Sequence, residues 1–170
     1  CNDLVGCIVG YKDTNFFKNK IGKGDIVLGF KSNGSHTNGY SLIRKVFEKM
    51  NYENIPENIH YILSKPHTCY IKEIKYIIDS FGYDIINSMA HITGGGLYNN
   101  IKRVLTNDLN LNLDYEFIEN NLPLWCKFIM NNGNIEFKEM LEVFNCGIGY
   151  VVIVSDKNAQ ILLNNEELDI

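Results

Sequence analysis

Residues 29–47 (GFKSNGSHTNGYSLIRKVF) set the strongest limit on how this chain folds. An apolar run, Ile26-Val27-Leu28, ends in Gly29, and a loop of small polar residues and glycine follows, interrupted only by the imidazole of His36. From Tyr40 onward, Ile43, Val46, Phe47 and Met50 recur at the three-and-four spacing that lines one helix face. A strand, a glycine-bearing loop and a helix start make a ready anion site, because first-turn N–H groups lack partners and the dipole favours negative charge. The same residues suit an ordinary turn in which Ser and Thr cap the helix. Both readings are open on this stretch alone.

With 170 residues, 45% of them hydrophobic and 21% charged, the chain fits one soluble domain, residues 1–170, able to bury a core. A formal charge of −4 argues against a nucleic-acid surface, which needs basic stripes. No apolar stretch approaches a membrane span and no signal peptide is visible, so no membrane partner is expected. Cys1, Cys7, Cys69, Cys126 and Cys146 form no CxxC pair, and read as reduced, buried thiols of a cytoplasmic protein. His36, His60, His67 and His91 lack metal-ligand spacing, so no metal site is expected. The chain begins at Cys1, which reads as a fragment.

Along the chain, strands are expected at 4–11, 25–30, 85–93 and 150–154, the last the clearest. Residues 12–23 read as a turn or crossing, and 51–64 as irregular, with Pro56 forbidding a helix through it. Helices are expected at 38–50, at 68–80 with Thr68 as N-cap, from the glycine run to Leu105, and from Pro123 until Asn131-Asn132-Gly133. Two more cover 135–143 and the stretch after Ser155 or Asp156, while 109–118 suits strand or connector. Trp125, Phe128 and the Ile71/Ile74/Ile78 stripe read as core. Gly94-Gly95-Gly96 weakens any regular element, so the chain needs positive φ or close backbone approach there. This is a second strand–glycine loop–helix unit, and the alternation gives a layered α/β fold.

Three long segments now resemble one family in register: GDIVLGFKSNGSHTNGYSLIRKVFE (24–48), AHITGGGLYNNIKRVL (90–105) and EMLEVFNCGIGYVVIV (139–154). The family is phosphoribosylformylglycinamidine cyclo-ligase, also called aminoimidazole ribonucleotide synthetase. The resemblance also takes in Asp3-Leu4-Val5-Gly6, Leu122-Pro123 and Asn132-Gly133-Asn134-Ile135. It implies the C-terminal domain of that enzyme, a three-layer α/β/α sandwich with a mixed sheet, partly ferredoxin-like. It implies ATP and Mg2+ as cofactors, held mainly by an N-terminal domain outside this chain, and a homodimer. The implied reaction phosphorylates the amide oxygen of formylglycinamidine ribonucleotide. A substrate nitrogen then attacks that carbon, closes the imidazole ring and expels phosphate. Positioning and stabilisation of phosphoryl charge carry most of such a step.

Carried onto this chain, the resemblance makes His36 the candidate catalytic residue, within His36-Thr37-Asn38-Gly39. It hydrogen-bonds the phosphorylated oxygen or shuttles a proton; alternatively, it only ties the loop together. Ser32, Asn33, Gly34, Asn38 and Gly39 are candidates for phosphate or ribose contacts, with Thr93, Gly94, Gly95 and Gly96 as a second binding loop. Asn145 is a weaker candidate, as are Asn99 and Asn100, and His91 is structural or near the site. Pro66-His67-Thr68 departs from the family, which commonly has Pro-Thr followed by a basic residue there, with His67 a partial substitute, and Lys102 stands where proline is usual. The C-terminus stops soon after the last helix, before a further strand that relatives have. The rival readings are another ATP-dependent enzyme of the superfamily (formylglycinamidine ribonucleotide synthetase, selenophosphate synthetase, thiamine-monophosphate kinase) and a detached, non-catalytic binding domain.

Overall fold

The seven-residue run IGYVVIV forms strand β3 (Ile148–Val154), and it is buried along most of its length because it is paired on both sides. A computed structural model describes residues 7–11 and 20–170 of the chain. In it β1 (Ile26–Lys31) and β2 (Ser88–His91) flank β3 in the order β1-β3-β2. Ile26 stands opposite Val154 and Phe30 opposite Tyr150, with a register irregularity between Phe30 and Lys31. Ser88 stands opposite Ile153 and His91 opposite Tyr150.

A central strand without a solvent face needs apolar side chains at every position, which accounts for the unbroken β-branched run. Alternation then divides its residues between two hydrophobic clusters. Val151 and Ile153 enter one, together with Ala90 of β2. Val152 and Val154 enter the other, with Leu28 and Phe30 of β1.

The first cluster is closed by α1 (Tyr40–Lys49), α2 (Glu57–Ser64), α4 (Gly96–Lys102), α5 (Tyr115–Asn120), α6 (Leu124–Gly133) and α7 (Phe137–Val143). Trp125 and Phe144 meet edge to face inside it, 5.4 Å apart. The second is closed by α3 (Ile71–Phe81) through Ile77 and by α8 (Asp156–Leu163) through Ala159 and Leu162. Fully burying an aliphatic side chain of this size is worth about 1.5–3 kcal/mol, so both clusters contribute substantially to stability.

The α/β class and most helices match the sequence reading; several details do not. Both strand pairings are antiparallel among the described residues, not mixed; apolar periodicity carries no information on strand direction. Residues 7–11 of the expected first strand are irregular and exposed, Val9 at 92%; residues 4–6, and 12–19 of the expected crossing, lie outside the described ones. The strand expected at 85–93 is confined to Ser88–His91, after a 3-10 turn at Tyr83–Ile85.

A helix replaces the irregular segment before Pro66, because Pro56 precedes the first turn, where a missing N–H costs nothing. The expected strand or connector over 109–118 ends in α5 instead, whose N-cap Asp114 accepts from the Phe117 N–H at 2.9 Å. Tyr70 rather than Thr68 occupies the N-cap of α3. Gly133 lies within α6, which ends at Asn134 in the left-handed conformation. Among the described cysteines, Cys7 and Cys69 are exposed, while Cys126 and Cys146 match the expectation of buried thiols; Cys1 lies outside the described residues.

Gly96 shows what the α4–α7 packing requires: a Cβ there would lie 1.6 Å from the Leu141 carbonyl oxygen, and φ is +70°. Gly96→Ala is expected to destabilise the chain by about 3 kcal/mol or more in denaturant unfolding. Gly24→Ala, at φ +90° but facing open space, is expected to cost only about 1 kcal/mol.

Candidate functional site

The loop between β1 and α1 is held in place by a buried amide. Asn145 is 1% exposed, and its Oδ1 accepts from the Ser32 hydroxyl and the Gly147 N–H, each at 3.0 Å. Its Nδ2 donates to the Gly34 carbonyl at 2.8 Å. Ser32 N–H donates to the Gly147 carbonyl at 2.8 Å. At Gly34 a Cβ would come within 2.8 Å of the Ile62 carbonyl oxygen, so α2 closes over this point.

The loop then turns through two non-glycine residues with positive φ, His36 at 51° and Thr37 at 67°, an uncommon conformation that surrounding contacts must hold. One such contact is Asn38 Nδ2, which donates to the His36 carbonyl at 2.9 Å. Gly39, at φ 75°, is the N-cap of α1, and a Cβ there would lie 2.1 Å from the Phe144 ring. No side chain caps α1. The Ser/Thr capping expected of an ordinary turn is therefore not what this loop does.

His36 is 4% exposed. Asn33 Nδ2 donates to the Pro66 carbonyl at 2.8 Å, which leaves Asn33 Oδ1 as acceptor, 2.8 Å from His36 Nε2. The ring therefore donates from Nε2. Thr68 N–H also approaches Nε2, at 3.5 Å, and the shorter contact sets the tautomer. Nδ1 then carries the lone pair, buried and without a hydrogen-bond partner. Burial, then the neighbouring His67 and His91, pull the pKa of His36 down to about 4. The ring fits only because residue 149 is glycine: a Cβ there would lie 2.7 Å from His36 Cε1 and 2.1 Å from the Tyr70 hydroxyl. That hydroxyl donates to the Lys31 carbonyl at 2.9 Å, and burial pushes its pKa up to about 12.

The second glycine loop meets the first, with Asn38 Oδ1 3.3 Å from where a Gly94 Cβ would be. Gly95 and Gly96 have φ of 98° and 70°, as the glycine run required. Asn100, 3% exposed, organises the turn: its Nδ2 donates to Thr93 O at 3.1 Å and Gly96 O at 2.6 Å, and its Oδ1 accepts from Thr93 Oγ1 at 3.0 Å. Arg103 Nη1 donates to the same Oδ1 at 2.8 Å. Beside the loops lies a cleft of about 520 Å³, whose lining includes His67, Tyr70, Ile74, Lys75, His91 and Tyr150. That volume is in the range of small-molecule sites.

Ser32, Asn33, Gly34, His36, Asn38 and Gly39 thus share one loop, which Asn145 binds to the entry of β3 and which touches Thr93–Gly96 at Asn38. The side chains of Ser32, Asn33 and Asn145 are engaged in internal hydrogen bonds. Asn100 proves more central to its loop than its low sequence weight suggested. Ile71, Ile74 and Ile78, read as core, line the cleft, and Ile77 is the α3 residue that is fully buried. Sequence spacing missed the approach of His36, His67 and His91. Their ring nitrogens come within 4.8 Å of one another from three separate segments, and nothing in their spacing announces it.

Comparison with known proteins places this arrangement in a family. Residues 22–168 match the family model "AIR synthase related protein, C-terminal domain", and the chain belongs to that family. It is similar to proteins named phosphoribosylformylglycinamidine cyclo-ligase. The one from Neisseria gonorrhoeae is 41% identical over 164 residues, covering 92% of this chain and 46% of that protein. The one from Streptococcus pneumoniae is 34% identical, covering 93% of this chain and 47% of that protein. A "Trifunctional purine biosynthetic protein adenosine-3" from Chironomus tentans is 40% identical, covering 92% of this chain and 12% of that protein. The chain spans about half the length of the bacterial relatives it matches.

The depressed pKa of His36 has a measurable consequence. Between pH 6.5 and about 4 the unfolded chain takes up a proton at His36 that the folded chain does not. This contribution to stability is fully present above pH 6.5, declines as pH falls through that window, and levels off below it. An NMR titration is expected to place the His36 ring near pH 4, and a midpoint near 6.5 would refute the burial argument.

Proposed function

We propose that this chain is the substrate-binding C-terminal domain of an ATP-dependent cyclo-ligase of purine biosynthesis. The reaction converts formylglycinamidine ribonucleotide to aminoimidazole ribonucleotide and releases ADP and phosphate. The observation that carries the reading is the meeting of two glycine loops at Asn38 and Gly94, beside a buried histidine, in a chain whose relatives are named as cyclo-ligases. The start of α1, where no side chain caps the first-turn N–H groups, suits phosphate oxygens. His36 is neutral at pH 7, and with its N–H given to Asn33 it supplies the Nδ1 lone pair at the reacting amide rather than a fixed positive charge. Asn33 and Asn145 act as positioning residues, the first on the ring of His36 and the second on the loop that carries it.

The two loops contribute Ser, Asn, His, Thr and Gly but no carboxylate. They do not suit a magnesium ion, which is bound through oxygen ligands with carboxylates prominent among them. ATP and Mg2+ are assigned mainly to the N-terminal half of the full-length enzyme, which is also the expected partner of this domain and the seat of a homodimer. In this reading residues 1–170 form one domain, helices cover both faces of the sheet as a three-layer, partly ferredoxin-like sandwich, and the enzyme works in the cytoplasm. No helix among the described residues is long and apolar enough to cross a membrane.

The test is ATP-dependent formation of aminoimidazole ribonucleotide by a protein that joins this domain to its N-terminal half. His36→Ala is expected to lower kcat/KM by about 100-fold or more, with a much smaller proportional change in unfolding free energy. Turnover at the wild-type rate in that variant would overturn the role of His36. Failure of a folded, ATP-binding wild-type protein to form product would overturn the reading as a whole.

A further inference from the structure

Three histidines meet at the edge of the cleft, His67 and His91 in its lining and His36 behind them, and they do more than the proposed ring closure asks of them. His36 comes from the β1–α1 loop, His67 from the segment between α2 and α3, and His91 from the end of β2. Each offers a ring nitrogen within 4.8 Å of the other two. The rings of His36 and His67 stack with centroids 4.8 Å apart, and His91 stacks on Tyr150 at 6.0 Å. Outer nitrogens of two of the rings are engaged: Asn33 Oδ1 accepts from His36 Nε2 at 2.8 Å, and the Thr37 hydroxyl bonds His67 Nε2. An outer hydrogen bond of this kind fixes the orientation of a metal-ligating histidine and leaves its other nitrogen for the ion. His36 Nδ1 is such a nitrogen, buried and without a partner. A buried lone pair left unpaired is costly, and a cation among the rings removes that cost.

We propose that His36, His67 and His91 form a binding site for a divalent first-row transition ion, zinc above all, with each ring contributing one nitrogen. Imidazole nitrogens favour this class of ion over Mg2+ or Ca2+, which take oxygen. Zinc–nitrogen bonds of about 2.0–2.1 Å in tetrahedral geometry place ligand atoms roughly 3.3 Å apart. The present spacing therefore has to close by about 1.5 Å. His67 and His91 are exposed and can rotate about their side-chain bonds, while His36 stays fixed by its loop. To bring its lone pair onto the ion, His67 has to turn out of its stack on His36 and release Thr37. Three protein ligands leave a fourth position open to water or to a small anionic ligand in the cleft. Zinc on Nδ1 occupies the lone pair that the proposed ring closure draws on, so the ion and that role of His36 exclude one another.

The test is calorimetric titration of zinc into the metal-free chain, with the imidazole NMR signals followed in parallel. One zinc per chain is expected, with shifts at His36, His67 and His91 and none at His60, which packs against Phe47 and Tyr52. His67→Ala is expected to weaken zinc binding by about 100-fold or more, and His91→Ala likewise; both positions are exposed, so the fold survives. Cys69→Ser, which removes the exposed thiol nearest in sequence to His67, is expected to leave binding unchanged. The proposal is overturned by the absence of saturable binding, by binding that His67→Ala leaves intact, or by binding that Cys69→Ser abolishes.

Discussion

The candidate site depends on one buried amide. Asn145 reaches from the entry of β3 to Ser32 and Gly34 and, with the Gly147 N–H, uses its donors and acceptors within the protein. Because that amide is out of water, each of its bonds is made at a point where an unmade one would leave a buried polar group unpaired. The loop thereby inherits the rigidity of the central strand. The left-handed turn at His36 and Thr37 and the glycine N-cap of α1 come next along the chain, and both are held from below rather than by their own propensity.

The same constraint governs the histidine. A ring buried to this degree resists protonation, and Asn33 decides which of its nitrogens carries the hydrogen. The loop thus fixes position, tautomer and charge state together. On the other side of the contact, Asn100 performs for the Thr93–Gly96 turn what Asn145 performs for the first loop, with Arg103 completing its oxygen. Two glycine turns, each organised by one buried asparagine, meet beside the cleft.

Much of this was legible in the sequence, and the reasons are physical. The β-branched run over 150–154 and the three-and-four spacing of α1 are direct consequences of burial, so they survive translation into structure. The glycine run at 94–96 announced positive φ and close approach, and Gly96 shows both. Strand direction was not legible, because alternation looks the same in parallel and antiparallel pairs. Helix α2 was hidden by treating Pro56 as a breaker, when it sits at the one place a helix tolerates it. The meeting of His36, His67 and His91 could not be read at all, since proximity between distant segments leaves no periodic trace. The roles of Asn145 and Asn100 were underweighted for a related reason: an asparagine in a turn has the same sequence appearance whether it faces water or the core.

The space above Gly149 bears on the history of the chain. His36 from one side and the Tyr70 hydroxyl from the other occupy the volume that a side chain at 149 would fill. No bond joins the three positions; what joins them is an emptiness they share. A lineage that acquires even a methyl group at 149 has to displace both the ring at 36 and the hydroxyl at 70. Growth at 149 is therefore constrained by the side chains at 36 and 70.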